Sequence, residues 1–281
     1  MAVLRMNLYS YVLGKDTNVE MIIPEKRHRK HEALQGKKYP VLYFLHGHSA
    51  DESAWLRHTT VEFMLSNTDY VAVMPDVGRS YFTDSEKGYR YFTYLTEELP
   101  LILRNWFPIS ERREDTSVIG YSMGGTGALK CALRRPDLYS RCVCMSGDMY
   151  MQNYIRGFGK EVDVYDEDGT LYHNPVYQLE DFYSNVRNQL GDTVEKFNGS
   201  IDDMEAAVLD LMASDAPRPK LYLCCGDQDA LHLSNRRFYQ FIQEKAPELD
   251  CTYEVSSGMH NWDFWSRELK HSLQAVGILE G

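Results

Sequence analysis

The chain has 281 residues, 43% hydrophobic and 25% charged, the balance of an ordinary globular protein, which excludes collagen-like, coiled-coil and disordered classes. It carries 30 Lys and Arg against 41 Asp and Glu, a formal net charge of −11. Such a surface repels phosphate backbones and anionic bilayers, so neither nucleic acid nor a membrane is an expected partner.

No run approaches about 18 apolar residues, so no transmembrane helix is expected. The start, Met1-Ala2-Val3-Leu4-Arg5, lacks the basic-then-apolar pattern of a secretory signal. In chain order, residues 3–9 and 18–23 alternate imperfectly, as a partly exposed antiparallel pair does. The basic stretch 25–38 reads as a solvated loop. Residues 41–45 are a continuous apolar run ending at His46-Gly47. A helix over 53–65, a strand over 70–74 ending at Pro75, and a helix over 91–106 with Pro100 placed to kink it come next. A strand over 117–119 ends at Gly120, and a helix of small and apolar residues spans 123–134. A strand over 142–145 ends at Ser146-Gly147. Later helices fall over 201–212, 233–245 and 262–276, and later strands over 221–225 and 251–255.

Continuous apolar strands are covered on both faces. Strands alternating with helices give an α/β fold: a mostly parallel eight-stranded sheet with helices on both faces, its first two strands a hairpin. The stretch 149–216 breaks the rhythm and is rich in aromatics, among them Tyr150, Tyr154, Phe158 and Tyr172. It reads as an insertion over the C-terminal edge of the sheet, near the active site, within a single domain spanning 1–281. The six cysteines, Cys131, Cys142, Cys144, Cys224, Cys225 and Cys251, form no C-x-x-C pair. They read as buried, reduced thiols of a cytoplasmic enzyme, not as zinc ligands.

Gly120-Tyr121-Ser122-Met123-Gly124 is a G-x-S-x-G motif. A strand leads in and a small-residue helix leads out, the context of a nucleophile elbow. A serine hydroxyl needs a base to take its proton. Of the histidines after it, His260 follows the last strand, His271 sits in a helix among charges, and His232 opens a helix beside an acidic loop. That loop, Gly226-Asp227-Gln228-Asp229, offers two acids to orient the imidazole, and their spacing does not choose between them. A calcium loop would need further ligands and a closing Glu that are missing. His46-Gly47-His48 follows the third strand, where a hydrolase supplies one oxyanion amide, the other coming from Met123 after the nucleophile. Two histidines without a third ligand do not make a metal site, and neither metal nor cofactor is expected. No phosphate-binding G-x-x-x-x-G-K-[ST] loop is present.

These segments together resemble the α/β-hydrolase family of small esterases that includes bacterial tributyrin esterases, feruloyl and acetylxylan esterases and S-formylglutathione hydrolase (esterase D). The likeness runs through 41–47, Ser53-Ala54-Trp55-Leu56, Val73-Met74-Pro75-Asp76, 91–100, 120–125, Cys225-Gly226-Asp227-Gln228-Asp229 and Gly258-Met259-His260-Asn261-Trp262-Asp263-Phe264-Trp265. The resemblance implies a serine carboxylesterase with Ser122 as nucleophile, Asp229 rather than Asp227 as acid, His260 as base, and oxyanion amides at His48 and Met123. Trp55 and Tyr81 follow strand ends and are candidate pocket residues. The expected partner is a small-molecule ester, short-chain or hydroxycinnamoyl, with an acylated sugar among the candidates; the family is compatible with a homo-oligomer. A thioesterase or acyltransferase on the same triad is the runner-up, and a non-catalytic binding module the remote alternative.

Overall fold

The computed structural model describes residues 1–25, 36–156, 164–165, 171–172 and 180–280. β1 (Ala2–Ser10) and β2 (Lys15–Ile23) pair antiparallel, Ala2 opposite Ile23 and Ser10 opposite Lys15. Their turn is capped from outside. The Glu98 carboxylate accepts the Tyr11 N–H at 2.7 Å and the Val12 N–H at 3.2 Å, and the Ser10 hydroxyl. The other strands are β3 (Val41–Leu45), β4 (Val71–Pro75), β5 (Thr116–Tyr121), β6 (Arg141–Met145), a two-residue pair β7 (Val164–Tyr165) and β8 (Leu171–Tyr172), β9 (Lys220–Gly226) and β10 (Cys251–Ser256).

Eight of them form one sheet in the order β1-β2-β4-β3-β5-β6-β9-β10. β2 meets β4 antiparallel, and every later pairing is parallel. Every side chain of β3 and β4 is buried, as their unbroken apolar runs require.

Alternate residues of a strand point to opposite faces. Val41, Tyr43 and Leu45 therefore enter one core, and Leu42 and Phe44 the other. α1 (Ala54–His58), α2 (Val61–Leu65) and the C-terminal helix cover the second core. The first is covered by α3 (Tyr91–Thr93), a π-helical turn (Tyr94–Glu98), α4 (Leu99–Trp106) and α5 (Met123–Arg134). After β6 come α6 (Gln152–Arg156), α7 (Glu180–Leu190), α8 (Val194–Phe197) and α9 (Met204–Met212); α10 (His232–Lys245) and α11 (Trp262–Ala275) follow β9 and β10. Val186, Leu190, Phe197 and Met204 share the first core with the sheet.

Three helices differ from the sequence reading. The helix expected over 53–65 is two. The Thr59 hydroxyl donates to the Trp55 carbonyl at 2.6 Å and accepts the Val61 N–H at 3.1 Å, offering the backbone a competing partner at the break. The segment 91–106 is continuous but widens into the π turn just before Pro100, whose missing N–H interrupts the regular helical ladder at that point. α9 starts at Met204 because Asp203 caps it, accepting the Ala206 N–H at 3.1 Å. The solvated-loop reading of 25–38 falls largely outside the described residues, as does much of 157–179.

All six cysteines are free, five of them buried. Burial pushes the thiols up, to about 12 for Cys131, Cys224 and Cys251.

Candidate active site

β5 delivers the chain to Ser122, whose φ of 55° and ψ of −126° lie outside the ordinary regions, and α5 begins at the next residue. Two glycines make that turn possible. A Cβ on Gly120 would stand 1.9 Å from the Gly124 carbonyl oxygen, and one on Gly124 would stand 2.2 Å from that of Leu45. The Ser122 N–H donates to the Met145 carbonyl at 2.8 Å, so the turn is tied to the neighbouring strand.

The loops after β9 and β10 meet over this serine. Gly258 N–H donates to Asp227 Oδ1 at 3.0 Å, and Gln228 N–H donates to the Gly258 carbonyl at 2.9 Å. Asp227 is thus used in joining the loops, and Asp229 is the acid that reaches the imidazole. His260 Nδ1 lies 3.0 Å from both Asp229 oxygens, and His260 Nε2 lies 2.8 Å from Ser122 Oγ. Burial works against the Asp229 charge. The hydrogen bond and electrostatic coupling to His260, the Leu231 N–H at 2.8 Å and the Ser146 hydroxyl together outweigh it and hold the carboxyl below its ordinary value. The Trp265 ring meets the His260 ring edge-on at 4.9 Å. His232 turns elsewhere, with Nδ1 3.5 Å from the Tyr253 hydroxyl, and His271 pairs with Glu254 at 2.7 Å.

His46 is buried. Val77 N–H donates to its Nε2 at 3.1 Å, so the Nδ1 proton is available for the Gly47 carbonyl at 2.8 Å. The ring therefore pins the loop carrying His48 to the loop after β4. Met123 is the first residue of α5, and its N–H has no acceptor within the helix. His48, Met123 and Ser122 line one cleft, together with Tyr81, Asp148 and Met151. Tyr81, a candidate pocket residue, is part of this lining. Trp55 is corrected: it is fully buried in the second core against Phe44, Tyr121 and Trp262, its indole N–H donating to the Leu45 carbonyl at 3.1 Å.

A serine at a strained strand-to-helix turn, bonded through an imidazole to a buried carboxylate, is the constellation of serine hydrolysis. The family model described as "Putative esterase" matches residues 10–276. The chain belongs to this esterase family. The esterase is 28% identical over 277 residues, 98% of this chain and 97% of the relative, to an acetyl esterase of Caldicellulosiruptor saccharolyticus. Its fold superposes on that of the substrate-bound fluorophosphonate-binding serine hydrolase F of Staphylococcus aureus with a TM-score of 0.79 and 25% identity, covering 98% of both chains. It shares the fold of an S-formylglutathione hydrolase from the same organism at a TM-score of 0.77 and 24% identity, again over 98% of both. The architecture is thus the α/β-hydrolase fold.

Three polar residues of the candidate site escape the sequence reading. Ser146, fully buried with φ of 50°, accepts the Trp265 indole N–H at 3.1 Å and hydrogen-bonds Asp229. Asp148 lines the cleft with its carboxyl raised by burial, accepting the Tyr150 N–H at 3.1 Å. His48 Nε2 lies 3.0 Å from both Asn185 Oδ1 and Arg79 Nε; it accepts from the guanidinium when unprotonated and donates to the amide oxygen when protonated, one or the other. The Ser146-Gly147 pair at a strand end was the one available signal. Among the described residues, no group of three or more His, Cys, Asp or Glu is placed to hold a metal, and no helix is long and apolar enough to cross a membrane.

Proposed function

We propose that this esterase hydrolyses short-chain acyl esters through Ser122, His260 and Asp229, with the amides of His48 and Met123 as the oxyanion hole. The unbroken hydrogen-bonded path from Ser122 Oγ through His260 to the buried Asp229 carries the reading. Ser122 Oγ attacks the ester carbonyl carbon as its proton passes to His260 Nε2. The amides of His48 and Met123 receive the developing oxyanion, each contributing on the order of 3 kcal/mol at the transition state. Asp229 keeps the imidazole in the required tautomer and stabilises the imidazolium. The proton then goes to the leaving alcohol, and water repeats the sequence on the acyl-serine. No step requires a metal or cofactor.

The full-length likeness to an acetyl esterase supports a short acyl group. Met151 in the cleft and Asn185 beside His48 support reading 149–216 as an insertion into one domain that forms part of the substrate wall. Six unpaired thiols support a reducing, cytoplasmic setting.

The test is a panel of 4-nitrophenyl acetate, butyrate and octanoate, methyl ferulate, acetylated xylo-oligosaccharide and S-formylglutathione, with Ser122→Ala as the blank. Acetate or butyrate should lead, and the variant should lose at least ~10³-fold. A lead for ferulate or for the thioester would replace the short-chain reading with the feruloyl esterase or thioesterase one. Failure of a fluorophosphonate to label Ser122 in the folded protein would refute the serine mechanism.

A further inference from the structure

Tyr81 and Phe82 are consecutive non-glycine residues with φ of 52° and 53°. Left-handed backbone is uncommon for any residue with a side chain, and two aromatics in succession keep it only where their surroundings over-determine it. Three features of this chain do so. Lys130, in the middle of α5, sends its ammonium to the carbonyls of Tyr81 at 2.7 Å and Phe82 at 3.2 Å. Gly127, about one turn earlier on the same helix, leaves a notch for the Phe82 ring; a Cβ there would stand 2.3 Å from that ring. Asp202, between α8 and α9, accepts from Lys130 and, through its other oxygen, from the Thr83 hydroxyl at 2.9 Å.

Both charges are buried, Lys130 at 1% exposure and Asp202 at 7%. The rest of α5 around it is small and apolar, and a leucine would fill the space at far lower desolvation cost. What the lysine adds is donors, and two of them go to the strained turn. That turn places Tyr81 in the wall of the cleft, its ring 5.5 Å from the His48 ring.

We infer that Lys130, paired with Asp202, is a positioning residue: it holds the Tyr81–Phe82 turn in its left-handed form and so sets the wall that restricts the cleft to short acyl groups. The inference rests on the reading of Ser122 as nucleophile. The pair also ties this wall to the segment 149–216, because Asp202 belongs to it.

The experiment removes both charges at once, Lys130→Met with Asp202→Asn, so that no buried ion is left unpaired. Without the strut the turn relaxes, the wall opens, and the ratio of kcat/KM on 4-nitrophenyl acetate to that on the octanoate should fall by at least ~10-fold. Fluorophosphonate should still label Ser122. A folded double variant with the wild-type ratio overturns the proposal, since a merely structural pair would lower the melting temperature and leave chain-length preference alone. Should that variant not fold, Gly127→Ala displaces Phe82 while favouring the helix, and the same shift in ratio is required of it. A crystal structure of either folded variant decides the matter independently of activity: Tyr81 and Phe82 still at positive φ would sink the strut. Absence of both turnover and labelling in the wild type would instead count against the nucleophile.

Discussion

The two halves of the site are held in different ways. Ser122 is placed by backbone: a strained φ and ψ, two glycines that permit close contact, and an N–H bonded to the next strand. His260 is placed by side chains: Asp229 beneath it, Trp265 against its edge, and Ser146 behind both. A backbone-built position is intolerant of added atoms and indifferent to most distant polar changes. A side-chain-built position is the reverse, and its polar groups can be removed one at a time.

That contrast can be broken by substitution. Asp229→Asn keeps the shape of the base half and removes its charge, so kcat should fall roughly 10³- to 10⁴-fold with little change in the circular dichroism spectrum. A loss below tenfold would mean that the imidazole is oriented by something else. Gly124→Ala attacks the backbone half. Its Cβ would stand 2.2 Å from the Leu45 carbonyl oxygen and 2.6 Å from that of His46, so the fold should lose about 3 kcal/mol or more in urea unfolding. Ser146→Ala tests the support behind the proposed triad. It leaves the Trp265 indole N–H without its acceptor and Asp229 without one donor, and should cost about 1–3 kcal/mol of stability with a roughly tenfold lower kcat.

The smallest effect concerns pH. Burial raises the Asp148 carboxyl above its ordinary value, so the folded protein carries an unfavourable charge at neutral pH that vanishes as pH falls below the unfolded value of about 3.9. Asp148→Asn should therefore raise the melting temperature at pH 7 to 8, and the gain should shrink as pH falls through the raised folded value and then the unfolded one. A gain independent of pH would point to packing instead of charge.

The same division explains what the sequence revealed. The elbow is a local pattern, and the strand 41–45 and the helix 123–134 are legible to their observed ends, because apolar runs and small residues are written contiguously. The base half is assembled across the chain. Spacing left Asp227 and Asp229 equal, and only the meeting of two loops gives Asp227 to the Gly258 N–H and Asp229 to His260. Trp55 was misplaced because a large aromatic after a strand end looks alike whether its helix turns it outward or into the core. Lys130 and Asp202 were unreadable for the same reason: 72 residues separate them, and neither sits in a motif.

The buried thiols make this protein a reporter of its own opening. Alkylating reagents attack the thiolate, and in the folded chain five of the six cysteines are sealed from solvent with that form suppressed. They sit in the sheet and in α5, the parts that come apart last. The rate at which iodoacetamide consumes them should therefore track cooperative unfolding and not local breathing. Mass spectrometry of the alkylated protein would then serve as a clock for conformational lifetime, readable in a crude extract without purification.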